Sequence, residues 1–429
     1  MKLLVYTSTA GRDLHKRLGQ PEYSYRFVIQ EFRPLLDQIG SVIDISDPAT
    51  EVDAIYEACR ARGEACVFLC FMPPNKVPLG LACPTIPVFA WEYEALPSQE
   101  FNGKPRNDWV RVLNHFEGAL THSSFTVERA RSFLGRDYPI ASVPAPLWDR
   151  VQGTRRAALG VRRIRCNGLL IDSREVDLAQ YRKRLIKAAL PGSLPLPAST
   201  GSGPRDLLLD GVVYTAVFNP CDGRKNWRSM IGAFCEALRD KPDATLVFKL
   251  THYDPSEVIP WMLETVYRMG PIAGRIVFLH AYLDPADYEA LLSATTFALN
   301  ASHGEGQCLP LMEYMSAGKV AIAPCHTSMR DYVDEECAFV VDSSEEIGSW
   351  PHDPRQTLRT LRHRIHHQSL VSAFRKSYYV ATREPAVHAA MSRAAVESLR
   401  RYCSMDVVGP RLVASIRERL ARVPLASVG

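Results

Sequence analysis

Ser302-His303-Gly304-Glu305-Gly306-Gln307-Cys308-Leu309-Pro310-Leu311-Met312-Glu313 leads into Tyr314-Met315-Ser316-Ala317-Gly318, and this stretch decides the fold. Phe297–Asn300, just ahead of it, reads as a buried strand, and Leu309–Ala317 as a helix returning behind that strand. The loop between them then lies at the carboxyl edge of a parallel sheet, where open α/β folds take their ligands. Gly304 and Gly306 let this backbone turn sharply and approach a ligand closely. The amides of Gln307, Cys308 and Leu309 fall at the start of the helix, an arrangement that attracts phosphate. Glu305 sits in the loop and Glu313 about one turn further into the helix, so two carboxylates reach different parts of one ligand.

Working outward, the same strand–helix alternation runs through Val212–Phe218, Trp227–Leu238, Thr245–Leu250, Glu257–Arg268, Ile276–Leu279, Pro285–Ser293 and Val320–Ala323. An independent set of strands precedes it: Leu3–Tyr6, Val42–Ile45, Cys66–Phe71, Ile86–Trp91, Ala119–His122 and Ile140–Val143. Between the first two of these, Tyr25, Val28, Ile29, Phe32, Leu35, Leu36 and Ile39 recur at helical spacing, with Pro34 set to bend the helix. Ser123-Ser124 suits the N-cap of a helix over Phe125–Leu134. Such alternation implies parallel sheets covered on both faces.

The expected organisation is therefore α/β, with two Rossmann-like domains facing across a cleft and a helical C-terminal tail. Residues 1–150 form the first domain, 151–209 an insertion and flexible linker, and 210–384 the second domain. Residues 385–429 are helices expected to pack back on the first. Within the insertion, Leu190–Arg205 is rich in Pro, Ser and Gly, the composition of a linker. Arg155, Arg156, Arg162, Arg163 and Arg165 crowd together there; they suit a membrane face or a phosphate-bearing acceptor, a solvated surface being the plainer reading. After about residue 350 only helical patterns are evident.

Bulk properties narrow the function. At 429 residues the chain is too long for one core. Its net charge of +4 argues against a dedicated nucleic-acid binder. No run of about 18 apolar residues is present to span a membrane. The early polarity of Met1–Ser8 fits a first strand better than a signal peptide. Eleven cysteines, an odd number, favour reduced thiols and a cytoplasmic setting; Cys66 and Cys70 match no zinc spacing and read as buried small side chains.

The 302–318 stretch resembles the signature of the group 1, or family 4, retaining glycosyltransferases of the GT-B fold, usually worded Ser-x-x-Glu-Gly-Phe-Gly-Leu-Pro-x-x-Glu-Ala-Met-Ala-x-Gly. The resemblance implies that Glu305 contacts the donor sugar and Glu313 the ribose of the nucleotide. Phe218–Trp227 followed by Gly232-Ala233-Phe234 is similar to the family's first strand–loop–helix of the donor domain, which puts Lys225 on the diphosphate. The family's partner arginine stands five residues earlier, where this chain has Pro220; Arg224 is the nearest substitute and Lys249 a further cation. Backbone contacts to the base are implied near Ala281 and Tyr282. His326–Val333 stands in the place of the family's Gly-Gly-x-x-Glu-Val element, with Asp331 as its acidic residue. The resemblance covers about residues 212–342; over the first domain it is architectural only.

In the first domain Trp91-Glu92-Tyr93-Glu94 ends the fourth strand toward the cleft, and relatives carry a histidine here that this chain lacks. Glu92 becomes the candidate acceptor or sugar contact, with a solvent-facing strand end as the alternative. In the opening loop Arg12, Lys16 and Arg17 are present, without a Gly-x-Gly-x-x-Gly pattern for a dinucleotide.

The expectation is a retaining hexosyltransferase that moves a hexose from a nucleoside-diphosphate sugar to a hydroxyl of a glycan or lipid-linked glycan, in bacterial surface polysaccharide synthesis. No metal is expected, since no Asp-x-Asp motif is found, and no cofactor beyond the donor. Peripheral contact with the inner membrane is part of that expectation. Two readings remain beside it: a sugar-nucleotide binding protein without catalysis, and another two-Rossmann enzyme such as an epimerase or a phosphorylase.

Overall fold

The computed structural model describes residues 1–8, 22–151, 160–180, 183, 203–350, 353 and 357–422. The expectations for Arg12, Lys16, Arg17, Arg155, Arg156 and most of Leu190–Arg205 lie outside the described residues.

The first unit is a six-stranded parallel sheet in the order β2-β1-β3-β4-β5-β6. Its strands are β1 (Lys2–Tyr6), β2 (Ser41–Asp44), β3 (Cys66–Phe71), β4 (Thr85–Phe89), β5 (Ala119–Thr121) and β6 (Ile140–Ser142). Every side chain of β3 and β4 is buried, as expected of strands covered on both faces. Helix α1 (Tyr23–Ile39) runs through Pro34 and buries Tyr25, Val28, Phe32, Leu35 and Leu36 on the sheet. The other helices are α2 (Pro48–Arg60), the short α3 (Trp109–Leu113) and α4 (Ser124–Leu134); α4 is capped by Ser123, whose hydroxyl accepts from the Thr126 amide.

The second unit holds an eight-stranded sheet. Beyond β7 (Arg162–Asp172) and β8 (Pro204–Leu209) its strands are β9 (Val212–Phe218), β10 (Ala244–Leu250), β11 (Arg275–Tyr282), β12 (Phe297–Leu299), β13 (Val320–Ala323) and β14 (Ala338–Val340). The order is β14-β13-β12-β9-β10-β11-β7-β8, all running one way except β7, which is antiparallel to both its neighbours. Helices α5 (Trp227–Ala237), α6 (Ile259–Arg268), α7 (Pro285–Ala294) and α8 (Leu309–Ser316) cover it. Asp284 caps α7 by accepting from the Asp287 amide, with Pro285 at the first helical position.

Two expectations need correction. Residues 162–172 and 204–209, read as part of an insertion and linker, are strands that extend the second sheet: β7 runs antiparallel to β11, and β8 antiparallel to β7. Ile164 and Cys166 point into its core while Arg163 and Arg165 point out, a period of two. The region after residue 350 is not wholly helical either, because β15 (Ser343–Ser349) and β16 (Arg359–Ile365) pair as a hairpin.

Three helices end the described chain: α9 (His367–Arg383), α10 (Pro385–Cys403) and α11 (Met405–Ala421). Helix α9 packs on α5, and α10 buries Ala395, Leu399 and Cys403 beside α8. Helix α11 crosses back and places Val408, Leu412 and Ile416 in the core of the first unit with Phe32, Leu35 and Leu36. Trp350, directly after β15 in the connection of the hairpin, also reaches the first unit, seated against Phe101, Trp91 and Trp109. Among the described residues no helix is long and apolar enough to cross a membrane.

Candidate functional site

The two units enclose a cleft of about 1700 Å³ at the carboxyl edges of both sheets. The loop 302–308 enters it from the end of β12, and Glu305 is its centre. This carboxylate is 3 % exposed and accepts from Lys225 Nζ at 2.7 and 2.8 Å, Arg224 Nη1 at 2.9 Å, Ser302 Oγ at 2.6 Å and Asn300 Nδ2 at 3.2 Å. Burial alone raises a carboxyl's pKa; the Lys225 and Arg224 charges and these donated hydrogen bonds override it and hold Glu305 far below the ordinary carboxylate range.

Arg224 and Lys225 come from the turn 223–225 between β9 and α5, whose Asp222 accepts from the Arg224 amide. The guanidinium also meets Asp222 at 3.0 Å, the Gly304 carbonyl at 2.8 Å and, across the cleft, Glu92 at 3.2 Å. Glu92 therefore faces the cleft rather than solvent, and through Arg224 it links the first unit to Glu305.

The glycines of the loop have a different reason from the one read in sequence. A Cβ at Gly304 would lie 2.8 Å from the Glu92 carbonyl oxygen, and one at Gly306 would lie 2.9 Å from Ala90 Cβ. Their smallness lets the loop abut the strand end of the first unit. The left-handed conformation falls instead on Cys308, at φ 63°, where the family wording has glycine. From there α8 begins, and the amides of Gln307, Cys308 and Leu309 make no hydrogen bond to the described residues. The Gln307 carbonyl accepts from Tyr332 at 3.0 Å, which fixes the turn.

Glu313, on α8, accepts from Arg150 at 2.8 Å and from the Tyr288 hydroxyl at 2.6 Å. Arg150 also pairs with Glu31 of α1, so this corner again joins the two units. Lys249 is not in the Glu305 cluster: its titratable neighbours are the Cys166 thiol and His280, and burial lowers it to about 8. It lines the cleft further along β10. Ala281 and Tyr282, expected to offer backbone to a base, are paired in register with Gly168 and Asn167 of β7, and the Tyr282 side chain is exposed at the mouth. Asp331 accepts from the amide and hydroxyl of Ser124 at the start of α4, tying the units together.

Sequence reading singles out neither Arg150 nor Tyr288, the partners of Glu313. Among the described residues one group, Glu94, Glu345 and His363, brings three metal-ligating side chains close together, but Glu94 is already paired with Arg129 at 2.5 Å.

The arrangement is that of the GT-B fold: two Rossmann-like units, a cleft between them, and a helical tail returning to the first. The chain is similar over 98 % of its length to a sucrose-phosphate synthase from Thermosynechococcus elongatus (99 % of that chain, 13 % identity, TM-score 0.58). It is similar over 97 % to HepE from Anabaena, in complex with UDP and glucose (99 % of that chain, 11 % identity, TM-score 0.54), and over 98 % to a glycosyltransferase from Rickettsia africae (99 % of that chain, 10 % identity, TM-score 0.53). No protein-family model matches the chain, and no curated protein matches it in sequence.

Proposed function

We propose that the chain is a retaining glycosyltransferase that moves a hexose from a nucleoside-diphosphate sugar to a hydroxyl of a glycan acceptor. The observation that carries this is the buried Glu305–Lys225–Arg224 cluster at the head of α8, inside a cleft between two Rossmann-like units. The HepE structure, of the same fold, contains UDP and glucose, which supports a sugar nucleotide as the donor.

Lys225, Arg224 and the amides of Gln307, Cys308 and Leu309 are fixed positive groups. Aimed at a departing diphosphate, they stabilise the charge that develops there with little reorganisation. That supply of charge is the ground for a metal-independent reaction. Glu305 holds the cations in place and lies against the donor sugar; Glu313 takes paired hydroxyls of the ribose, exchanging Arg150 for them. Glu92 stands on the opposite wall, where a sugar hydroxyl is within its reach. Retention, a role in surface polysaccharide synthesis and a lipid-linked acceptor at the cytoplasmic face of the membrane complete the proposal. They rest on the family resemblance of residues 302–318.

The test is release of nucleoside diphosphate from a panel of UDP-, GDP-, ADP- and dTDP-sugars offered with glycan acceptors, with and without EDTA. Acceptor-dependent release that survives EDTA and is lost in Glu305→Ala and Lys225→Ala supports the reading. Undiminished transfer in both variants overturns the site. Conversion without acceptor, or only with free phosphate, marks an epimerase or a phosphorylase instead; donor binding with no release marks a binding protein.

A further inference from the structure

Lys249 is the polar side chain in an otherwise apolar row across the second sheet. In register it stands between Val217 of β9 and Leu279 of β11, and Leu279 in turn pairs with Leu170 of β7. Paired residues of neighbouring strands point to the same face, so these four side chains form one row. The next pair toward the carboxyl edge is Ala281 with Gly168, both small and both lining the cleft. Leu283 and the ring of Tyr288 close the side, packed on the same apolar cluster. Lys249, Val217, Ala281, Leu283 and Tyr288 all line the cleft. The result is an apolar slot with one ammonium group in its floor.

That ammonium is poorly satisfied. Lys249 is 9 % exposed, and its one hydrogen bond among the described residues is to the Leu250 carbonyl at 3.4 Å. No carboxylate stands among its titratable neighbours, Cys166 and His280. A buried ammonium offers only donors, so what completes it must be an acceptor.

The connectivity of a sugar nucleotide says which part arrives there. With the sugar and diphosphate at Glu305 and Lys225 and the ribose at Glu313, the base lies beyond Glu313. Tyr288, bonded to Glu313, forms that side of the slot. We infer that Lys249 reads an exocyclic carbonyl of the donor's base, so that the chain takes donors bearing uracil, thymine or guanine and discriminates against adenine. This rests on the donor-site reading above. Adenine would set an amino group, itself a donor, against the ammonium, and two facing donors leave both unsatisfied.

Calorimetric titration of the full chain with UDP, dTDP, GDP, ADP and inorganic pyrophosphate tests the inference, on the wild type and on Lys249→Met. Methionine nearly fills the same volume and removes a buried charge, so the variant should fold at least as well. The expected result is that at least one carbonyl-bearing diphosphate binds the wild type about thirtyfold more tightly than ADP. In Lys249→Met that ligand should lose about tenfold, while ADP and pyrophosphate change by less than about twofold. ADP binding as tightly as the others overturns the inference. A uniform loss that includes pyrophosphate also overturns it, because it puts Lys249 on the phosphates. Failure of every ligand to bind the folded wild type overturns the donor reading itself, and this inference with it.

Discussion

Lys225 donates to both oxygens of the Glu305 carboxylate, at 2.7 and 2.8 Å, while its neighbour Arg224 reaches one of them at 2.9 Å. Removing the acid takes away the carboxylate to which Lys225 donates and leaves Arg224 with the carboxylates of Glu92 and Asp222, and Glu305→Ala should cost about 3 kcal/mol of stability. The pH dependence has a defined sign. The folded-state pKa of Glu305 is depressed, so its contribution is complete above the unfolded value of about 4.3 and is lost as pH falls toward the folded one. The Tm difference between wild type and Glu305→Ala should be constant from about pH 5 to 8 and shrink below about pH 4. A difference that instead changes near neutrality would assign the stabilisation to another group.

Gly306→Ala tests the contact between the loop and the first unit. The added methyl meets Ala90 Cβ at 2.9 Å and the Trp91 amide nitrogen at 3.2 Å, so one unit must shift. A loss of about 1–3 kcal/mol is expected, with a fall in transfer rate from the misplaced Glu305. Thermal unfolding and donor-release kinetics check the two effects together. Wild-type behaviour in both would show that the loop yields easily.

Lys249 gives a pH test of a different kind. Burial lowers its pKa to about 8, and the groups around it are the Cys166 thiol of β7, pushed up to about 11, His280 of β11 and Tyr288 of α7. A ligand that accepts from the ammonium binds the protonated form. Its affinity should therefore be level up to about pH 7 and fall as pH rises through 8. In Lys249→Met the affinity should be lower and level over the same range. Calorimetry at several pH values distinguishes the two profiles.

Trp350→Ala empties a seat among Phe101, Trp91 and Trp109, at ring distances of 5.1, 5.7 and 6.4 Å. A loss of about 3–5 kcal/mol is expected for a buried tryptophan. Because the seat is in the first unit and the residue belongs to the connection of the β15–β16 hairpin, the variant should also loosen the closed cleft. Small-angle scattering should register a larger radius of gyration. An unchanged radius would mean that the other contacts across the cleft suffice.

Much of this was legible in sequence, for a physical reason. Strands buried on both faces are continuous apolar runs, and Cys66–Phe71 was bounded to the residue. A strand–loop–helix such as 297–317 carries its chemistry within one local segment, so Glu305 and Glu313 could be singled out together. The half-exposed strands that end the second sheet are harder. Arg163, Ile164, Arg165 and Cys166 alternate as a half-exposed strand should, yet the number of arginines drew attention to charge instead of period. The partners of the site were not legible. Glu92 and Arg224 are 132 positions apart, as 224 minus 92 shows, and Arg150 and Glu313 lie 163 apart. No local pattern records such pairs. Cys308 hid for another reason: its residue type gives no sign of the left-handed backbone it adopts.

The chain passes between the units twice, and the two passages are fastened to one another. Going out, Trp148 donates to the Val396 carbonyl at 2.9 Å; coming back, the Met405 amide donates to Asp149 at 2.8 Å. Two strands of linker tied side by side behave as a single spine. A rotation of the units about this seam would keep both bonds, whereas sliding or twisting of one unit past the other would break them.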